Sequence, residues 1–333
     1  MQEKIFTLTD QEAENIRKGL GEIDYDSFGS TQYLNQLKRK LYSFFPERII
    51  DLLNNQRSSF KPLPYFIIKN FPIDNVNGAP NFYETGIDYK DGYISENIIT
   101  ACSVAVGEPY SAFFEGRELV NNLNPQKNTM NDYTGLGSQK NLDLHIENSA
   151  LRFMEKDFSP VGLFLLGVRF QENGPKTYIA DSREALNMLS KEDQNILRSS
   201  SFIIKTPHRW RKYFNYENTD LVPMVMGCEK FPLVNAVFYD DMVVAINDQA
   251  KLALSNFYSA LQTVKRGIEI GVGDLVFIDN RFALHSREIF KPQYDSNGNP
   301  LRWLQRVFIS SNLWEWRSLA RNGRVFFKEN GSC

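Results

Sequence analysis

Short β-prone runs recur from residue 142 onward, and this repetition constrains the fold of the chain more than any other feature. An earlier run, Leu63–Phe71, is predicted as the first strand of the main sheet. Many short strands with turns between them indicate a sandwich or a jelly roll. The predicted fold class is mainly β with helical decoration, around a double-stranded β-helix (jelly-roll) core. The later runs are Leu142–Ile146, Val161–Phe170, Lys176–Ala180, Phe202–Lys205, Leu233–Tyr239, Leu275–Asp279 and Trp303–Ser310.

Helical patterns precede the strands and interrupt them. Thr9 and Glu12 form a capping-box pattern, which predicts a helix through about Leu20. Internal repeats and linker-like composition are missing from the sequence, so we expect one domain over residues 1–333. Within it, residues 1–60 form a helical part that packs on the core, and residues 61–315 form the jelly-roll core with helical insertions. Further helices are predicted at Gln32–Asn54, Ser182–Leu189, Lys191–Leu197 and Asp248–Arg266, the last capped by Asn247.

Charge and composition limit the kinds of binding partner that we expect. The chain has 38 basic and 40 acidic residues and no long run of one sign, so no nucleic-acid or anionic-membrane surface is indicated. It lacks a signal-peptide pattern and an apolar stretch of the ~20 residues that span a bilayer. Three scattered cysteines suggest neither a disulfide framework nor a thiolate zinc site. We therefore expect a cytoplasmic protein with a small-molecule partner; the sequence leaves the oligomeric state open.

Two of the three histidines occur in contexts suited to metal binding. His145 and Glu147 are two residues apart in a β-prone run, so both side chains project from one face of the strand. His285 follows another apolar strand and a polar turn. Two imidazoles and one carboxylate form the facial triad of non-haem iron(II) oxygenases, which leaves coordination positions open. Those positions accept 2-oxoglutarate and dioxygen. The third histidine, His208, lacks such a context, and we expect a structural or surface role for it.

The last predicted strand carries two arginines. Alternation in LRWLQRVF places Arg302, Leu304 and Arg306 on one face. If that face points inward, each arginine needs an anion, and a planar guanidinium group suits a carboxylate. If the strand is an edge strand, both arginines are solvated. The residues alone leave these alternatives equal.

The chain resembles the clavaminate synthase-like branch of the taurine dioxygenase superfamily, which includes hydroxylases of free arginine, asparagine and lysine. The resemblance rests on the segments LDLHIEN, GPKTYIADSREAL and GDLVFIDNRFALHSREIFKPQYD, the last followed by RWLQRVFIS. This branch uses glutamate as the carboxylate ligand of the metal, as Glu147 provides. The resemblance implies an enzyme that uses Fe(II), 2-oxoglutarate and O2 and yields a hydroxylated amino acid, succinate and CO2, with desaturation as an alternative outcome.

The resemblance also assigns residue roles. His145, Glu147 and His285 are the expected iron ligands and catalytic residues. Thr177 and Arg302 are expected to bind 2-oxoglutarate, with Arg302 on its distal carboxylate. The substrate contacts expected from the family are Arg306 on the α-carboxylate, Glu147, and Asn121, which stands where relatives often have Gln.

The segment ahead of the distal histidine bears on the substrate. Members of this branch that hydroxylate basic amino acids use acids there, and this chain has Asp240 and Asp241. If these bind a side-chain cation, the substrate is a basic amino acid, with L-lysine preferred and arginine or ornithine next. If both are solvated loop residues, an asparagine oxygenase, an oxygenase of a carrier-tethered amino acid, or a non-catalytic metal-binding jelly-roll protein stays open.

Overall fold

Two β-sheets lie face to face between two groups of helices. The computed structural model describes residues 4–80, 84–126, 130–131, 133, 136–154, 157–207, 210–211, 215–239 and 241–327. The helices in this part of the chain are α1 (Asp10–Leu20), α2 (Thr31–Phe44), α3 (Glu47–Ser58), α4 (Ile94–Val106), α5 (Ser182–Leu186), α6 (Lys191–Leu197) and α7 (Asp248–Val264).

Most strands are short, as the sequence predicts. Those before residue 200 are β1 (Ile5–Thr7), β2 (Tyr65–Lys69), β3 (Glu108–Ala112), β4 (Asn121–Leu123), β5 (Leu142–His145), β6 (Gly162–Arg169) and β7 (Thr177–Asp181). Those after it are β8 (Phe202–Ile204), β9 (Val225–Cys228), β10 (Phe231–Val234), β11 (Val243–Ala245), β12 (Arg266–Ile268), β13 (Leu275–Asp279), β14 (Ala283–Arg287), β15 (Trp303–Ser310), β16 (Ala320–Asn322) and β17 (Val325–Phe327).

The strands pair into one large and one smaller sheet. Across the described residues, the main sheet has the order β1-β2-β13-β6-β15-β3-β17-β16, with β4 also paired to β15. The smaller sheet has the order β12-β7-β14-β5. Two further pairs, β9 with β10 and β8 with β11, form hydrogen bonds outside these sheets. Apart from the hairpin of β16 and β17, neighbours in both sheets are distant in sequence, so the fold depends on long-range pairing.

The two sheets share one apolar layer. Leu165 of β6, Leu304 of β15, Ile179 of β7 and Ala283 of β14 belong to the same buried cluster. Because side chains alternate along a strand, Arg306 lies on the same face of β15 as Leu304, and His285 on the same face of β14 as Ala283. The space between the sheets therefore receives polar side chains from both of them.

Helices cover the outer faces of both sheets. Helices α1 to α4 pack on the main sheet, where Phe66, Phe164 and Phe277 are almost fully buried and their rings contact one another. Helices α5 to α7 pack on the smaller sheet around Leu144 and Leu284. Burial of such side chains contributes about 1.5–3 kcal/mol each. None of the described helices is long and apolar enough to cross a membrane.

The sheet-rich fold with added helices is confirmed, and so is the capping box, in which Thr9 and Glu12 satisfy each other's backbone groups at the start of α1. Three details of the prediction are wrong. The stretch Gln32–Asn54 is two helices, because Pro46 interrupts the helical hydrogen bonds. Strand β1 precedes the run Leu63–Phe71 and pairs with it in parallel. The run Leu233–Tyr239 leaves the strand after Val234.

Candidate active site

His145, Glu147 and His285 converge between the two sheets. Strand β5 ends at His145, and in the antiparallel pairing of β5 and β14 this residue is the register partner of His285. Glu147 follows two residues later. One ligand atom from each side chain lies within 4.8 Å of the other two, and the histidines are buried. Two imidazole nitrogens and one carboxylate oxygen at this separation fit a single Fe(II) ion.

The charge states of these groups suit metal binding. Burial, followed by the nearby charge of His285, lowers the pKa of His145 to about 4, so its imidazole is neutral at physiological pH. Burial alone would raise the pKa of Glu147. A hydrogen bond with His285 and the positive charge of Arg306 outweigh that effect and lower the pKa to about 2. The site therefore presents an anionic carboxylate and a neutral imidazole, both in the form that binds a metal.

Backbone and side-chain groups orient the first histidine. Nδ1 of His145 lies 2.8 Å from the carbonyl oxygen of Asp143. A carbonyl only accepts, so Nδ1 donates and Nε2 is left as the metal-binding nitrogen. The carboxylate of Asp143 in turn accepts from the Tyr258 hydroxyl group of α7 at 2.6 Å. Helix α7 thus holds Asp143, and the carbonyl group of Asp143 orients the metal ligand His145.

Asn280 positions the acidic ligand, and sequence reasoning missed it. This fully buried residue lies in the turn between β13 and β14. Its side chain accepts from the backbone N–H of Glu147 at 2.7 Å and donates to the carbonyl of Glu147 at 3.1 Å. It also donates to the carbonyl of Pro160. The turn that follows β13 therefore holds the backbone of Glu147 in place.

Arg306 of β15 lies beside the metal ligands and between two carboxylates. Its Nη2 donates to Glu115 at 3.1 Å and to the side chain of Asn121 at 3.2 Å, and its Nη1 lies 3.7 Å from Glu147. The guanidinium group also lies over the Phe308 ring. The inward orientation of this arginine, one of the two alternatives in the sequence, is the one observed.

Asn121 is held by several hydrogen bonds. Besides accepting from Arg306, its amide donates to Ser111 and to the carbonyl of Glu118. Asn121 is also the register partner of Arg306 in the pairing of β4 and β15. In this structure its amide orients Arg306.

Arg302 precedes β15 and lies in a different part of the site. Its guanidinium group is 5.7 Å from the centroid of the Phe290 ring and forms no hydrogen bond or ion pair with any residue that the structure describes. Burial and the charge of Arg287 lower its pKa to about 9. A cation that is partly buried without a counter-charge is expected to bind an anion. Thr177, at the start of β7, lies on the adjacent strand as the register partner of Arg287.

Arg287 is a second residue that sequence reasoning missed. It ends β14, two residues after His285, and is 4% exposed. Its guanidinium group lies 5.4 Å from the same Phe290 ring. Burial lowers its pKa to about 10. The signal in the sequence is the His-x-Arg spacing, which puts both side chains on one face of a strand.

The predicted substrate acids are only partly described. Asp241 is exposed and has a positive φ of 52°. Asp240 lies outside the described residues, as does His208. The neighbouring Tyr239 packs edge-on against His145, with ring centroids 5.2 Å apart, and stacks on Tyr133 at 5.5 Å. Tyr239, which directly precedes these acids in the sequence, thus lies next to a metal ligand.

A sheet-rich fold with helices and a buried two-histidine, one-carboxylate cluster defines the class of non-haem iron oxygenases. Residues 101–308 match the family described as taurine catabolism dioxygenase TauD, TfdA family. The chain belongs to that family. It is a dioxygenase that uses Fe(II), 2-oxoglutarate and O2.

Individual relatives resemble the chain over nearly its whole length. The L-lysine 4-hydroxylase of Flavobacterium sp. (strain CF136) is 24% identical over 97% of this chain and 90% of the relative. The enduracididine beta-hydroxylase of Streptomyces hygroscopicus is 25% identical over 91% of this chain and 93% of the relative. The fold matches the solved structure of an asparagine oxygenase in complex with Fe(II), 2S,3S-3-hydroxyasparagine and succinate, with a TM-score of 0.83, 20% identity and coverage of 98% and 100%.

Proposed function

We propose that this enzyme hydroxylates a free basic amino acid, with L-lysine preferred and arginine or ornithine next. The products are the hydroxy amino acid, succinate and CO2. Two relatives that align over 97% and 91% of the chain support an amino acid substrate, since one is named for lysine and the other for enduracididine. The remaining support comes from charged groups around the metal ligands.

The observation that carries the proposal is the line of charges formed by Glu147, Arg306 and Glu115. One cation lies between two anions, at 3.7 Å and 3.1 Å, in a buried space. A free amino acid presents an α-carboxylate and an α-ammonium group side by side. Arg306 suits the carboxylate, and the flanking acids suit the ammonium group. A substrate without both charges would lose one of these two contacts.

We assign the remaining site residues as follows. His145, Glu147 and His285 hold Fe(II). Thr177 and Arg302 hold 2-oxoglutarate, with Arg302 on the distal carboxylate. Arg306 binds the α-carboxylate of the substrate; Glu147 and Asn121 lie beside it, and Asn121 acts mainly by orienting Arg306. We assign the two facing sheets to a jelly roll within a single domain.

Side chains of the protein determine which C–H bond of the substrate reacts. When bound, Fe(II) and 2-oxoglutarate supply the oxidation of a C–H bond by O2, coupled to decarboxylation to succinate. Asp143 and Tyr258 orient the His145 ring, and Asn280 holds the backbone of Glu147, before substrate arrives. Arg306 fixes the α-carboxylate of the substrate. The distance from that carboxylate to the metal then determines which carbon is oxidised.

The side chain of a basic substrate needs an anion of its own. Asp240 and Asp241 follow Tyr239, which contacts His145. We assign these two aspartates to the side-chain ammonium or guanidinium group. Asp241 is exposed, so the proposal places the side-chain cation of the substrate on the solvent side of the site.

A panel of free amino acids tests the proposal. The protein is loaded with Fe(II) and 2-oxoglutarate without oxygen, mixed with each amino acid, exposed to oxygen, and analysed by mass spectrometry for a product that has gained one oxygen atom. Lysine, arginine or ornithine should give this product and N-acetylated lysine should not, because acetylation of either nitrogen removes a recognised charge. Turnover of asparagine alone would favour the second candidate, an asparagine oxygenase, which the matching asparagine oxygenase fold supports.

A further inference from the structure

The indole ring of Trp210 contacts the line of charges from a segment to which the assigned roles give no function. Trp210 lies between β8 and β9 in the sequence, is fully buried, and belongs to the apolar cluster that the two sheets share. Its Nε1 donates to Oε1 of Glu115 at 3.0 Å. A hydrogen bond to a carboxylate is stronger than one to a neutral acceptor, so this contact can orient the acid.

Glu115 joins Trp210 to Arg306. This acid lies in the turn after β3 and is 7% exposed. Its Oε2 accepts from Nη2 of Arg306 at 3.1 Å, while its Oε1 accepts from Trp210. The terminal torsion of a glutamate side chain has only broad preferences of its own. Because both oxygens belong to one planar group, a donor that fixes Oε1 also fixes the direction of Oε2.

The orientation of Arg306 depends on these neighbours. Both hydrogen bonds that Arg306 makes to described residues come from Nη2, to Glu115 and to Asn121. Its Nε is buried and has no hydrogen-bond partner in the described part of the chain. Its Nη1 faces Glu147 at 3.7 Å, beyond hydrogen-bond distance. Glu115 is therefore the acid that holds this long side chain by a hydrogen bond.

Trp210 is itself held in place. Its backbone N–H donates to the carbonyl of Pro207 at 2.8 Å, and its ring packs edge-on against Phe114, with ring centroids 4.4 Å apart. Shortly before it, the backbone N–H of Lys205 donates to the carbonyl of Met242 at 2.8 Å. The indole N–H thus comes from a supported position, as a group that orients another must.

A second tryptophan of the same cluster shows that packing alone does not produce such a contact. Trp316 is almost fully buried, and its ring centroid lies 6.4 Å from that of Trp210. Among the described residues, its Nε1 has no hydrogen-bond partner. The cluster therefore accepts an indole ring without a bonded N–H, whereas the N–H of Trp210 is directed at the acid beside Arg306.

We propose that Trp210 is a positioning residue for the amino acid substrate. Through Glu115 it holds Arg306 in the orientation that binds the α-carboxylate. This inference rests on the proposed function, which places that carboxylate at Arg306. Loss of the indole N–H should therefore weaken the amino acid and leave 2-oxoglutarate, which is assigned to other residues, unaffected.

Calorimetric titration with two ligands tests the inference. The protein is loaded with Mn(II), which does not support turnover, and titrated with 2-oxoglutarate and then, in its presence, with lysine. Trp210→Phe keeps an aromatic ring but removes the N–H, so it should weaken lysine by about threefold to tenfold and leave 2-oxoglutarate unchanged. Trp316→Phe, the matched control, should change neither. No effect of Trp210→Phe on lysine, or an equal loss for both ligands, overturns the inference.

A double variant separates positioning from a general loss of packing. If Trp210 acts through Arg306, Trp210→Phe should add nothing to the loss of lysine affinity that Arg306→Met causes, because no guanidinium group is left to orient. A packing defect would add its full effect in both backgrounds. Full additivity of the two losses therefore also overturns the inference.

Failure of the proposed function gives different results. If Arg306→Met leaves lysine affinity unchanged, the proposed place of the α-carboxylate fails and the inference fails with it. If the parent binds asparagine and not lysine, the basic substrate fails, and the same titrations with asparagine decide the inference. Should Trp210→Phe not fold, benzothienylalanine at position 210 decides, because it keeps the bicyclic ring and lacks the N–H. An unchanged dissociation constant for the amino acid in that protein overturns the inference.

Discussion

His145 and His285 stand opposite each other in the antiparallel pairing of β5 and β14, and their ring centroids are 4.3 Å apart. Two residues that are distant in sequence thus become a pair through strand register alone. A one-residue slip of either strand would turn one imidazole to the opposite face. The geometry of the metal site therefore depends on the strand register of the smaller sheet.

Removal of the carboxylate should disable the metal site. Glu147→Ala should abolish hydroxylation and weaken binding of Mn(II) or Fe(II), because it removes the one anionic ligand of the cluster. Calorimetric titration of the metal measures the effect. Glu229→Ala, at an exposed acid paired with Lys191, is the control and should bind metal normally. Coupled turnover near the parent level in Glu147→Ala would remove Glu147 from the site.

The two arginines around β15 should affect different ligands. Arg302→Met should raise the requirement for 2-oxoglutarate far more than that for the amino acid, and Arg306→Met should do the reverse. Each loses a charge-assisted contact of about 1.5–3 kcal/mol, or more than tenfold in affinity. KM values for both ligands in each variant give the answer. If each variant weakens both ligands equally, the separate assignment is wrong.

The acids after Tyr239 should determine the preference for a basic side chain. Replacement of Asp240 and Asp241 by Asn should keep binding of iron and 2-oxoglutarate but sharply reduce lysine turnover, because the side-chain ammonium group of lysine loses its charge-assisted contact. Norleucine should gain relative to lysine. Turnover of both amino acids is measured with the parent as reference. Unchanged lysine turnover would make these aspartates solvated loop residues.

Individual elements show which parts of the fold could be predicted from the sequence. The strands Leu275–Asp279 and Trp303–Ser310 have the predicted bounds, because their apolar character is local. Helix α4 was missed because nearly all of its residues are buried, so it has no polar face to create a helical period. Strand alternation and the two-residue spacing of His145 and Glu147 allowed these two members of the metal cluster to be predicted.

Other parts of the site depend on tertiary contacts. Asn280 binds the backbone of Glu147, which is more than a hundred residues away in the sequence, and no local sequence pattern predicts this contact. The pairing of Arg306 with Glu115 likewise joins β15 to a turn after β3. Asn280 and Glu115 were missed because their role exists only once the two sheets have formed.

Removal of one partner from a buried charge cluster should strongly destabilise the protein. The Lys90 side chain is fully buried, lies 3.1 Å from Asp74 and also pairs with Glu96. Lys90→Met leaves two buried acids without their cation, which should cost about 3–5 kcal/mol in free energy of unfolding. Denaturant unfolding measures the cost. Lys191→Met, which removes an exposed ion pair, is the control and should change stability little. Equal stability of Lys90→Met and the parent would contradict this.

Stability should depend on pH through Glu118. Burial raises the pKa of this carboxyl group from 4.5 to about 7. Between these values the folded protein keeps a proton that the unfolded chain releases, so this group makes stability fall as pH rises. Glu118→Gln removes the effect, and the variant should gain stability relative to the parent from pH 5 to pH 8. Unfolding free energies at several pH values test this; curves that stay parallel would refute it.

The most direct test of the central claim is the fate of dioxygen during turnover. The protein with Fe(II), 2-oxoglutarate and lysine is given isotopically labelled O2, and both products are analysed by mass spectrometry. An amino acid hydroxylase that couples the two oxidations should place one labelled atom in the hydroxylated amino acid and one in succinate, in equal amounts, and Glu147→Ala should yield neither. Hydroxylated product without succinate, or equal product from Glu147→Ala, would contradict the account.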